Sequence, residues 1–131
     1  MTPSLEEAHR FLDLARADIE AFRVLAASPH IRPAIALFHA QQSVEKSLKA
    51  VLFSKSLEFP RTHDLVELAD KLQLAGAAPP YPIEGLVKLS PYAVLYRYDS
   101  DDLGLVSIQD AERTAQDVLT WAELAVRGAK A

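Results

Sequence analysis

The side chains best suited to chemistry fall in two short stretches. FHAQQSVEKSLK, residues 38–49, holds His39, Gln41, Gln42, Glu45, Lys46 and Lys49 within about three helical turns. Steps of three and four put His39, Gln42, Lys46 and Lys49 on one stripe of a helix. Imidazole exchanges protons near neutral pH, and two ammonium groups one turn apart suit a single phosphate. FPRTHDL, residues 59–65, adds Arg61, His63 and Asp64. Two readings stay open. In one, His39, Gln41, Gln42 and Glu45 line a polar groove or interface, while Lys46, Lys49, Arg61 and His63 touch phosphate. In the other, Glu45 and Lys49 make an i,i+4 surface pair, Thr62 caps a helix, and His63 bonds a neighbouring helix.

Other chemistries are excluded or disfavoured. The 131 residues include no cysteine, which removes disulfides, thiolate metal sites and thiol nucleophiles. Asp99, Asp101, Gly104 and Asp110 imitate part of a calcium loop, but Leu103 occupies its fifth position and the last ligand is aspartate. A hydrated acidic turn is expected there. No histidine pair has ligand spacing, so neither a metal nor a cofactor is expected. Arg32 with His39, and Arg23 with His30, share an Arg-x6-His spacing that reads as coincidence.

The net charge of −4 argues against a general polyanion binder. Its distribution is uneven. Residues 1–29 carry three basic and five acidic groups, residues 30–61 five and two, and residues 62–131 six and eleven. The local balances are −2, +3 and −5, so the positive excess coincides with the two polar stretches.

The elements that must position these residues are helices. Leu5, Ala8, Leu12, Ala15, Ile19, Phe22 and Ala26 form one stripe, predicting a helix over 5–27 with Ser4 as cap and Glu7 closing a capping box. A second helix starts at Arg32-Pro33 and reaches Ser56; its apolar residues cover several faces, which places it centrally. A third starts at Thr62 and ends at Gly76. A short stretch over 83–97 breaks near Ser90-Pro91, and Ser107 opens the last helix. One domain over 1–131 is expected: an all-α, up-and-down antiparallel bundle of four main helices plus one short helix. The acidic N-terminal stretch does not resemble a signal peptide, and no apolar run approaches the ~18 residues of a membrane span. A cytoplasmic location is expected.

FHAQQSVEKSLKAVLFSK, EFPRTHDLVEL and LSPYAVLYRYD, in this order and spacing, resemble the signature blocks of HEPN-domain proteins. The blocks span residues 38–99, and the flanking helices fit as well. The resemblance implies a helical bundle that forms a homodimer, a separately encoded minimal nucleotidyltransferase as partner, and a toxin–antitoxin-like module. It also implies nucleotide or RNA binding. The family's ribonucleases carry Arg-x(4–6)-His near the last long helix. Arg97 is the positional counterpart of that arginine here, but no histidine follows it. A binding and interaction protein is therefore the first expectation, with Arg97 among the phosphate-binding residues. The alternative is a divergent metal-independent ribonuclease using Arg97. In some pairs the partner modifies a tyrosine near that arginine, which makes Tyr98 the candidate acceptor. Tyr92, Tyr96 and Tyr98 are otherwise expected to pack the short helix and bond through their hydroxyls.

Overall fold

The computed structural model describes residues 2–79, 82–95 and 104–129. Arg97, Tyr98, Tyr96, Asp99, Asp101 and Leu103 lie outside the described residues. Every regular element among the described residues is an α-helix: α1 Pro3–Ala26, α2 Pro33–Ser54, α3 Leu65–Leu74, α4 Ile83–Leu89, α5 Tyr92–Leu95 and α6 Ile108–Arg127. The all-α bundle is as expected, with the short stretch split into α4 and the single turn α5 at Ser90-Pro91.

The α1 stripe from Leu5 to Phe22 is buried as its spacing predicts. Its cap differs. Thr2 accepts from Leu5 N at 3.2 Å, and Pro3 occupies the first helical position. Proline has no N–H to satisfy and a preset φ, so the hydroxyl before it wins over Ser4. At α3 the cap is Asp64, which accepts from Val66 N and Glu67 N. Thr62 instead accepts from Asp64 N at 3.0 Å and donates to Glu67 Oε2 at 3.2 Å. Pro33 does open α2, and Ser107 caps α6 by accepting from Asp110 N at 3.0 Å.

Helix α2 touches every other helix and buries residues on several faces, which confirms its central place. It runs antiparallel to α1. Phe11 packs against Phe53 with the rings tilted at one end, and Ser43 Oγ donates to Ala15 O further along. Helix α6 also opposes α1: Arg16 pairs with Glu123, and Arg23 with Glu112. The Glu112 hydrogen bond holds Arg23 above the ordinary guanidinium range, against a smaller opposing effect of burial. Most of the holding comes from the apolar core, where each fully buried Leu or Phe stabilises by about 1.5–3 kcal/mol. Tyr92 is fully buried in it, and its hydroxyl accepts from Leu105 N at 3.3 Å.

Two helix ends close alike but with different residues. After α3, Gly76 N donates to Gln73 O and Ala77 N to Leu72 O, with Gly76 at φ 74°. After α2, Ser56 N donates to Phe53 O and Leu57 N to Leu52 O, with Ser56 at φ 54°. The left-handed conformation costs a residue with a Cβ about 1–2 kcal/mol, while glycine loses about 0.5–1 kcal/mol of extra entropy. Ser56→Gly is therefore expected to stabilise the chain by about 0.5–1 kcal/mol. Urea unfolding checks this through a higher midpoint at unchanged slope.

Candidate functional site

His39, Gln42, Lys46 and Lys49 do share one half-buried stripe of α2. Over ten residues it runs about 15 Å along the helix. A carboxylate stands on each side of it. On one side, Asp18 of α1 takes His39 Nδ1 at 3.0 Å and Lys46 Nζ at 2.5 Å. On the other, Glu45 takes Lys49 Nζ on Oε2 and His63 Nδ1 on Oε1, both at 3.0 Å.

The Glu45 cluster is the deeper one. Its side chain is 4% exposed, and that of Lys49 is 14% exposed. A buried carboxylate is tolerated only with a counter-charge and hydrogen bonds. Gln41 supplies a further donor: its Nε2 reaches Glu45 Oε1 at 3.2 Å and the His63 carbonyl at 3.0 Å. Gln42 Nε2 then donates to Gln41 Oε1 at 2.8 Å. The Glu45–Lys49 pair thus has i,i+4 spacing but belongs to the interior. His63 is bonded to a neighbouring helix, yet its side chain remains 68% exposed. It is an open imidazole held from behind by a buried network.

The structure brings Gln41, Gln42, Glu45, Lys49 and His63 into one network and places His39 and Lys46 in a second. Each ammonium spends a donor on a carboxylate and keeps two others. Arg61 is exposed, with no ion pair among the described residues. Arg97 and Tyr98 lie outside the described residues. One participant was not evident from the motifs. Asp18 is the charged member of an otherwise apolar half-buried row, Phe11, Leu14, Ala21 and Leu25, which was its only sequence signal. Ser43 and Ser47 are fully buried on α2, and Ser47 Oγ has no hydrogen-bond partner among the described residues.

Near the network, a groove of about 460 Å³ opens between the start of α3 and the α4–α5 corner, with His63 and Asp64 at its edge. Among the described residues, no group of three or more His, Asp or Glu converges as a metal site. No helix is long and apolar enough to cross a membrane, again among the described residues.

These features define an all-helical bundle whose central helix carries a carboxylate-braced polar strip. The HEPN domain model matches residues 2–127, nearly the whole chain, and the chain belongs to the HEPN family. No curated protein and no solved structure gives a significant match.

Proposed function

We propose that the chain is a nucleotide- or RNA-binding interaction protein that works as a homodimer with a minimal nucleotidyltransferase, in a cytoplasmic toxin–antitoxin-like module. Family membership supports the nucleotide or RNA link. The observation that carries the site assignment is the strip itself. Lys46 and Lys49 are braced by the Asp18 and Glu45 carboxylates while keeping donors at the surface, Asp18 also holds His39, Gln41 holds Gln42, and exposed Arg61 and His63 extend the surface. Such bracing lowers the ordering cost of binding, because the side chains are already held in place. Arg97 belongs to the same proposal as a phosphate contact, and Tyr98 as an acceptor for modification by the partner.

The test is co-expression with a minimal nucleotidyltransferase encoded beside this chain. The two proteins are expected to co-purify and to stay together through gel filtration. A chain that elutes alone, as a monomer, contradicts the partnership.

One observation favours a second reading, a divergent metal-independent ribonuclease using Arg97. His63, oriented through Nδ1 by Glu45, supplies a proton-exchanging group that the sequence after Arg97 lacks.

A further inference from the structure

The groove beside His63 differs in chemistry from the strip on α2. Val66, Val87, Ala93 and Val94 form its walls, and among the described residues no lysine or arginine lines it. Val87 is 53% exposed and Val94 41%, so apolar surface is left open to water. Ser90 Oγ accepts from Leu65 N at 3.0 Å and so ties the first turn of α3 to the α4–α5 corner. The described walls are apolar, and the Asp64 carboxylate at the edge opposes a phosphate. The groove suits a ligand with apolar faces and a polar edge, which describes a nucleobase.

The polar edge is specific. Nδ1 of His63 faces the Glu45 carboxylate, which only accepts, so Nδ1 carries the proton. In the neutral imidazole Nε2 is then a bare acceptor, and it has no partner among the described residues. Asp64 Oδ1 is spent on Val66 N and Glu67 N, which leaves Oδ2 as a second acceptor. His63 cannot easily turn away. Glu45 holds its ring, and Gln41 Nε2 holds its carbonyl.

We propose that this groove is a base subsite selecting guanine, with His63 and Asp64 reading its edge and Glu45 as the positioning residue. The proposal rests on the nucleotide- or RNA-binding reading and adds where the base goes and which base is preferred. Guanine presents N1–H and the N2 amino group side by side, two donors for two acceptors. Uracil flanks its single N–H with carbonyl oxygens, which the same acceptors repel. The phosphate lies outside the groove, towards the cationic surface.

The test titrates the purified chain with guanosine monophosphate, uridine monophosphate and ribose 5-phosphate. Guanosine monophosphate is expected to bind roughly tenfold or more tightly than uridine monophosphate. Val87→Glu should bring it to the uridine level and leave ribose 5-phosphate unchanged, and His63→Ala should likewise abolish the preference for guanosine monophosphate over uridine monophosphate. Val87→Glu alters an exposed position and leaves the core intact, so it keeps the test valid if His63→Ala folds poorly. Equal affinity for the two nucleotides, or full guanosine affinity in Val87→Glu, overturns the base subsite while nucleotide binding stands. A wild-type chain that binds none of the three overturns both.

Discussion

Glu45→Ala is expected to cost about 3–5 kcal/mol of folding stability, the range for breaking a buried charge pair from one side. The Glu45 side chain is 4% exposed and meets three donors, from Lys49, His63 and Gln41. Its removal leaves the Lys49 ammonium, 14% exposed, with no counter-charge. It also strips Gln41 of one of its acceptors and opens a void beside fully buried Val44 and Leu48. The partner substitution separates the causes. Glu45→Met combined with Lys49→Met removes both charges and refills the volume, so it should recover most of the loss. Denaturant unfolding of the single and double variants reads this directly. A loss below about 1 kcal/mol in Glu45→Ala would mean the network does not hold a buried ion pair. In any folded Glu45 variant, His63 loses its orientation, so guanine preference should fall even where phosphate binding survives.

Lys46→Ala together with Lys49→Ala is expected to weaken single-stranded RNA binding by about tenfold or more at low salt. Two cations leave the surface, and Asp18 and Glu45 each lose one partner. Asp18 keeps His39 and Glu45 keeps His63, while the balance of residues 30–61 falls from +3 to +1. Each lost phosphate contact should also flatten the dependence of log affinity on log salt by about 0.7. Thermal melting of the variant must accompany the titration, because both lysines support buried carboxylates. Unchanged affinity in a folded double variant removes these lysines from the contact surface.

Faces were legible in the sequence and partners were not. The buried stripe of α1, the Pro33 helix start and the Ser107 cap follow from local spacing and local backbone chemistry. The polar stripe on α2 was visible for the same reason. Helical periodicity says which residues share a side, but it does not say what stands opposite. Asp18 lies 21 residues before His39 and 28 before Lys46, and only packing α1 against α2 brings them together. Glu45 and Lys49 showed their spacing but not their depth, which is set by the start of α3 crossing over them. The two misplaced caps share another cause. Ser4 and Thr62 each sit two residues from a rival capping side chain, and the choice depends on details a residue count does not contain. Pro3 settles the first. At the second, Thr62 turns back to the Asp64 N–H, and Asp64 caps the helix.

The central claim is that a chain with net charge −4 binds nucleotide or RNA phosphate through the cationic surface formed by α2 and the following connector. The most direct measurement is the affinity of the purified wild-type chain for a labelled single-stranded RNA, followed by fluorescence anisotropy from low to physiological salt. The account predicts measurable binding at low salt that weakens linearly in log salt. It also predicts a shallower slope, by about 0.7, in Arg61→Ala, which carries no ion pair to disturb among the described residues. No binding at low salt, or binding indifferent to salt, would contradict it.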